Sequence, residues 1–164
     1  MESIRNFFDY LFSKRSELSD LELKDAVLAK TVLDIHRKRS HKELVRVSLY
    51  SLKTLHELDR ENTQEVIAKR AENLTKYRDV ILAAGGLTED TLQAYLPSVS
   101  AIKVVQENEG SYIAYEGNGR LAAMQRVFSE ADGITVEVEQ YHFKNPAKII
   151  RRLNRVRRLN GLIE

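Results

Sequence analysis

The stretch EGNGR, residues 116–120, combines two glycines with an arginine directly before a helix-forming run. Glycine tolerates a positive φ and has no Cβ to obstruct a ligand, and consecutive backbone N–H groups in such a loop can form an anion-binding concavity. The N-terminus of the following helix would add unpaired N–H groups and a partial positive charge. The guanidinium of Arg120 is a planar fork that suits phosphate. The candidate phosphate-binding residues are Glu116, Gly117, Asn118, Gly119 and Arg120.

A structural role explains the same loop. A tight turn between a strand and a helix needs glycine for conformational reasons alone, and Arg120 could pair with Glu116 in a solvated bridge. The loop is not a P-loop, because no G-x-x-x-x-G-K-[ST] pattern occurs in the sequence. Ala122 stands where the dinucleotide-binding pattern G-x-G-x-x-G would need its last glycine. Both interpretations of the loop stay open at this point.

A second candidate site is the basic segment at the C-terminus. Residues 144–164 contain seven Lys/Arg and one Glu, whereas residues 1–143 contain nineteen Lys/Arg and twenty-three Asp/Glu. On a helix with about 100° per residue, Arg157 falls at the edge of the apolar face and is expected to snorkel outward. The cations that gather on the polar face are Lys148, Arg151, Arg152, Arg155 and Arg158.

Three roles are open for this basic face. Its arginines could pair with Glu137 and Glu139 of the preceding strand, contact nucleic-acid phosphates, or help to hold the phosphates of a nucleotide beside the loop. A cluster of cations favours an anionic neighbour. No aromatic residue interleaves the basic helix, so base stacking is not indicated.

The composition excludes several classes of protein. The chain has 164 residues and no cysteine, which excludes disulfides and thiolate chemistry. No apolar run is long enough for a membrane span, and the N-terminus does not have the pattern of a signal peptide. We therefore expect a cytoplasmic protein. His36, His41, His56 and His142 fit no standard metal motif, so solvated loop histidines and no metal site are expected.

Periodicity predicts the elements that would position the loop. Two strands, 101–106 and 111–116, form a hairpin before it. A helix from about 120 to 129 and an alternating strand over 134–143 follow it. Upstream, the pattern predicts helices over the first 36 residues, an exposed basic connector at 36–42, a strand at 44–50 and a helix from 62 that ends at Gly85. A final helix starts with Asn145 as cap and Pro146 at its first position.

This order of elements indicates an α+β fold with a small mixed sheet and covering helices. We expect one domain, which comprises a helical N-terminal extension with the basic connector (1–43), a core (44–143) and the basic C-terminal helix (144–164). The length is within the range of a single domain with its own core.

The hairpin, the EGNGR loop, the helix that begins LAAM and the strand ITVEVEQY resemble the ParB/sulfiredoxin superfamily. This superfamily includes the N-terminal domain of ParB partition proteins, sulfiredoxin and small kinase-like relatives. The resemblance implies that 44–52 is the early strand of the fold and that Gly117 to Arg120 bind the phosphates of a nucleotide. A nucleoside triphosphate with Mg²⁺ is the implied ligand, and Glu116 would assist a metal ion or orient Arg120.

The resemblance leaves open whether an NTPase or kinase-like reaction follows, and the sequence indicates no catalytic residue. The cysteine on which sulfiredoxin chemistry depends is absent. The alternative is a non-catalytic, DNA-associated protein of the partition or regulatory type. In that protein Arg120, the 36–42 segment and the C-terminal helix would contact backbone phosphates. A third interpretation is an interaction module in which the glycine loop has only a structural role.

Overall fold

A mixed six-stranded sheet forms the centre of the part of the chain that the computed structural model describes, residues 23–58 and 61–164. The helices are α1 (Leu23–Lys38), α2 (Glu61–Thr75), α3 (Arg78–Ala84), α4 (Glu89–Tyr95), α5 (Asn118–Val127) and α6 (Pro146–Leu159). The strands are β1 (Arg39–Ser48), β2 (Leu52–Thr54), β3 (Gly86–Leu87), β4 (Lys103–Asn108), β5 (Ser111–Glu116) and β6 (Thr135–Phe143). The predicted α+β class with a small mixed sheet and helices is confirmed.

The strand order is β1-β6-β4-β5-β2, and β3 pairs with the start of β6. β1 is antiparallel to β6, and β4 is antiparallel to β5. β2 runs parallel to β5, and β4 runs parallel to β6. The carboxyl ends of β2 and β5 therefore lie at the same end of the sheet, and α5 starts there.

Two apolar clusters lie on opposite faces of the sheet, because successive side chains of a strand point to opposite sides. In β6, Val136 and Val138 belong to the cluster that α2, α3, α4 and α5 cover, whereas Tyr141 belongs to the cluster with α1 and α6. The helices supply Leu74, Ile81, Leu92, Leu121 and Met124 to the first cluster and Ile35, Ile149, Leu153 and Val156 to the second. The sheet is thus covered by helices on both faces.

Three local predictions, for two helix ends and one hairpin, are confirmed. Pro146 is the first residue of α6, and the side chain of Asn145 accepts a hydrogen bond from the Lys148 N–H at 3.3 Å. Gly85, with φ 74°, ends α3 in the left-handed conformation that commonly closes helices. The predicted hairpin is present as β4 and β5.

The basic segment 36–42 is not a connector, and this prediction is wrong. α1 continues to Lys38, and β1 begins at Arg39, where it pairs with Phe143 of β6. The backbone of the segment is hydrogen bonded within regular structure, while its Lys and Arg side chains stay exposed, two at the end of α1 and two on the edge strand. Exposed charge is a common feature of edge strands, because it disfavours pairing with another chain. The strand that was predicted for 44–50 ends at Ser48.

The predicted helix from 62 is two helices, α2 and α3, which separate at Lys76 and Tyr77. The buried stripe agrees only in part with the prediction. Ile67 and Leu74 are buried as predicted, whereas Val66 and Tyr77, which were expected to point inward, are 47% and 37% exposed. The helical prediction for the residues before Leu23 lies outside the described residues. No helix in the described ranges is long and apolar enough to cross a bilayer.

Candidate functional site

The EGNGR loop is a strand-to-helix turn of one residue. β5 ends at Glu116, Gly117 adopts the left-handed conformation with φ 87°, and α5 begins at Asn118 rather than at Arg120 as predicted. The Leu121 N–H donates to the Gly117 carbonyl at 3.0 Å. No side chain caps the N-terminus of α5, so its first N–H groups have no intrahelical acceptor.

Asn118 is directed into the protein. Its side chain is buried, and its Oδ1 accepts a hydrogen bond from the backbone N–H of Leu55 at 3.0 Å. Leu55 follows β2, so the bond joins the end of β2 to the start of α5. The Oδ1 of Asn118 is therefore engaged by a backbone group of the protein and is not presented to a ligand.

Arg120 is also buried, with 2% of its surface exposed. Its Nη2 donates to the Ser100 carbonyl at 2.6 Å. Burial lowers the pKa of Arg120, and repulsion from the nearby cation of Arg70 lowers it further. The guanidinium is thus a buried positive charge behind the N-terminus of α5.

Glu116 pairs with Lys103 rather than with Arg120. The Lys103 Nζ lies 2.8 Å from a Glu116 oxygen, and the Ser100 hydroxyl donates to the same carboxylate. Burial by itself would raise the pKa of Glu116, but the hydrogen bonds from Lys103 and Ser100 outweigh it and lower this pKa. The carboxylate is therefore ionised and engaged at neutral pH.

Arg70 of α2 is a site residue that the sequence did not indicate. A Cβ built on Gly119 would lie only 2.9 Å from the Arg70 Nη1, so the guanidinium lies directly over this glycine. Within the described residues, Arg70 makes no hydrogen bond or ion pair. The packing of α2 against α5 brings the two residues together, and no local sequence pattern encodes this contact.

His36 lies near the ion pair of Lys103 and Glu116, although it was expected in a solvated loop. It belongs to the last turn of α1, and its ring packs edge-on against Tyr115 with 6.2 Å between the centroids. Burial lowers the pKa of His36, and the charges of Lys103 and Arg39 lower it further. His36 is therefore neutral at pH 7.

The arginines of α6 do not pair with Glu137 and Glu139, so that interpretation is wrong. Those acids pair across the sheet with Arg46 and Lys42 of β1, at 3.2 Å and 2.8 Å. Arg152 instead pairs with Asp34 of α1. The exposed cations of the predicted polar face are Lys148, Arg151, Arg155 and Arg158.

Arg157 does not snorkel to the surface as predicted. It is buried, and its Nε donates to the Thr54 carbonyl at 3.2 Å. This carbonyl at the end of β2 offers an acceptor inside the protein, so the buried guanidinium makes a hydrogen bond without solvent.

Two basic segments that are far apart in the sequence meet at one groove. The end of α1 and the start of β1 form one wall, and the turn from β6 into α6 forms the other. The groove has a volume of about 260 Å³. Its lining residues are Lys38, Arg39, Ser40, Phe143, Lys144, Asn145, Lys148 and Ile149. No carboxylate lines it, and among the described residues Lys38 alone of its four cations has an acid partner, Asp34 of α1 at 3.7 Å.

No family model, no curated protein and no solved structure matches this chain. The resemblance of the loop and its neighbours to the ParB/sulfiredoxin superfamily therefore stays a prediction. The candidate functions below are argued from the geometry of the loop and of the basic groove.

Proposed function

We propose that the N-terminus of α5 binds the phosphate groups of a nucleotide, with Arg70 as the cation that contacts them. The observation that carries this proposal is the position of the Arg70 guanidinium over Gly119. The first N–H groups of α5 have no capping side chain, and helix N-termini of this kind favour anions. An unpaired guanidinium and free backbone donors at one place form a recurring arrangement for phosphate.

Arg120 supports the same proposal from behind the helix. Its charge is buried and is repelled by Arg70, while the carboxylates of Glu116 and Glu89 attract it. An anion near Gly119 would relieve this repulsion. Arg120 would therefore contribute through its charge and through its bond to Ser100, whereas Arg70 would touch the ligand.

The proposal is limited to binding. Both the carboxylate of Glu116 and the side chain of Asn118 are engaged by other parts of the protein. We therefore assign neither residue to a Mg²⁺ ion. An NTPase or kinase-like reaction would also need a general base. Glu57, an acid near the end of β2, is exposed, and no contact relates it to the loop, so no base is assigned.

The first test is the Arg70→Gln variant. Because hydrogen bonds to charged groups contribute about 1.5–3 kcal/mol, we expect it to weaken nucleotide binding by at least about tenfold. Isothermal titration with ATP, CTP, GTP and inorganic phosphate measures this change. Lys69→Gln is the matched control, because Lys69 is an exposed cation on the same helix. The proposal is wrong if none of these ligands binds the unmodified chain.

Gly119→Ala separates binding from folding. Gly119 has no positive φ, and alanine is favoured over glycine inside a helix by roughly 1 kcal/mol. The added Cβ would meet only the flexible end of Arg70. We expect the variant to keep its melting temperature while nucleotide binding weakens because the methyl group displaces the guanidinium. Unchanged binding would place the ligand elsewhere.

The basic groove between α1–β1 and β6–α6 favours a second candidate function, contact with nucleic-acid phosphates. Lys38, Arg39, Lys144 and Lys148 line it without any acid. A double variant, Lys144→Gln with Lys148→Gln, is expected to reduce the slope of log affinity against log salt by about two, since each phosphate contact releases about one counterion. Fluorescence anisotropy of a labelled DNA duplex measures the slope.

The control for this experiment is Lys69→Gln with Lys76→Gln, which removes two exposed cations of α2 and of the turn that follows it. It should leave the salt slope unchanged. An affinity that does not vary with salt, or a double groove variant that binds as well as the unmodified chain, would contradict this function.

A further inference from the structure

Two of the four histidines of the chain face each other across β1 and β6. His41 and His142 are register partners in the antiparallel pair, so their side chains project from the same face of the sheet. Their rings stack with centroids 4.2 Å apart and planes 3° apart. Glu43 is two residues along β1 and therefore lies on this face as well. The two strands thus hold three metal-ligating side chains side by side.

The three side chains already converge. The His142 Nε2 lies 2.7 Å from a Glu43 oxygen, and the possible ligand atoms of His41, Glu43 and His142 all lie within 4.8 Å of one another. Ligand atoms around a tetrahedral Zn²⁺ with bonds of about 2.0–2.1 Å are about 3.4 Å apart. Because the two rings are parallel, they must tilt toward each other about their side-chain torsions before both nitrogen lone pairs point at one ion, a rearrangement of side chains that leaves the strands in place.

A hydroxyl next to the pair fixes the ring of His41. The Ser40 Oγ donates its proton to the His142 carbonyl at 3.0 Å, and it lies 3.3 Å from the His41 Nδ1. In its Nδ1–H tautomer, His41 can donate to this oxygen and leaves Nε2 available for a metal ion. Outer hydrogen bonds of this kind orient histidine ligands in metal sites.

We propose that His41, Glu43 and His142 form a binding site for a divalent transition-metal ion, with Zn²⁺ as the ion that the ligand set fits. Two imidazoles and one carboxylate are a donor set that Zn²⁺ accepts. The ion replaces the proton between the His142 Nε2 and Glu43. A fourth position stays open to water or to a ligand from another molecule.

The surroundings admit the ion. His41 and Glu43 are exposed, and His142 is half-buried, so the ion enters from solvent. The neighbouring cation Lys42 is paired with Glu139 at 2.8 Å, and both alternate with the proposed ligands along their strands, which places this pair on the opposite face. The site is also independent of the proposed phosphate site, since none of its residues belongs to the EGNGR loop or to α2.

Titration of the 164-residue chain without a histidine tag tests the site, with Zn²⁺ alone as the probe. We expect one ion per chain, and a loss of affinity of more than about tenfold in His41→Ala and in His142→Ala. His56→Ala is the control, because its ring faces the Glu57 carbonyl elsewhere in the protein. Both site variants alter exposed or half-buried side chains, and a thermal melt checks that they fold.

Imidazole ¹H–¹⁵N spectra give a second measurement on the unmodified chain. Zn²⁺ is expected to shift the ring nitrogens of His41 and His142 and to leave those of His36 and His56 in place. No saturable binding, shifts at all four histidines alike, or an equal loss of affinity in His56→Ala would overturn the proposal. Nucleotide binding by His41→Ala stays unchanged if the two sites are separate, so failure of one proposal does not imply failure of the other.

Discussion

Replacing Gly117 with alanine is expected to lower the free energy of unfolding by about 3 kcal/mol. Gly117 has a φ of 87°, and the left-handed conformation costs a residue with a Cβ about 1–2 kcal/mol. The new Cβ would also lie 2.8 Å from the Ile102 Cγ1 and 3.2 Å from the Ile102 Cα. Because Ile102 is fully buried and the second contact is with backbone, relief requires a main-chain shift that adds about 1–3 kcal/mol.

Gly110→Ala is the matched control for this prediction. Gly110 has a similar φ of 71°, but nothing lies within 4 Å of its hypothetical Cβ. The control variant has only the conformational cost, about 1 kcal/mol. Urea denaturation monitored by circular dichroism measures both variants. If the two variants lose equal stability, the close approach of Gly117 to Ile102 has no energetic importance.

Asn118→Ala is expected to destabilise the protein by about 2 kcal/mol, because it leaves the buried N–H of Leu55 without its acceptor. Both residues are buried, and the bond between the Asn118 Oδ1 and the Leu55 N is 3.0 Å long. The loss should be local as well as global, since this bond joins the end of β2 to the start of α5. Urea denaturation measures the first effect, and hydrogen exchange of the Leu55 amide measures the second.

Asn108→Ala is the control here, because Asn108 is an exposed asparagine at the end of β4. Exposed substitutions of this kind usually change stability by less than about 0.5 kcal/mol. If Asn118→Ala is equally mild and the Leu55 amide keeps its protection, the side chain of Asn118 is free to contact a ligand. The result therefore decides between a structural and a ligand-binding role for the second residue of the G-N-G-R stretch.

Local patterns were sufficient for several elements. The hairpin of β4 and β5, the alternating strand β6 and the capped helix α6 each have a signal within the element itself, such as Asn145 before Pro146. Periodicity of this kind reports which side chains can be buried together. It also identified the buried residues Ile67 and Leu74.

Local patterns failed where a distant partner decided the outcome. The charged segment 36–42 has no apolar periodicity, and pairing with β6 makes part of it a strand. Arg157 was expected to snorkel to the surface because it falls at the edge of the apolar face, but the Thr54 carbonyl supplies an acceptor inside the protein. Likewise, the acids that were expected to pair with α6 are occupied by cations of β1.

The sequence by itself determined that a strand, a glycine and a helix N-terminus follow one another at 116–120, because this geometry depends on neighbouring residues alone. Only the tertiary structure decided which cation lies beside that helix N-terminus. Packing of α2 on α5 places Arg70 over Gly119, while Arg120 is buried against Ser100. The tertiary structure likewise stacks the ring of His41 on that of His142. The physical reason is that contacts between distant segments depend on strand register and helix packing, and neither is encoded in a short stretch of sequence.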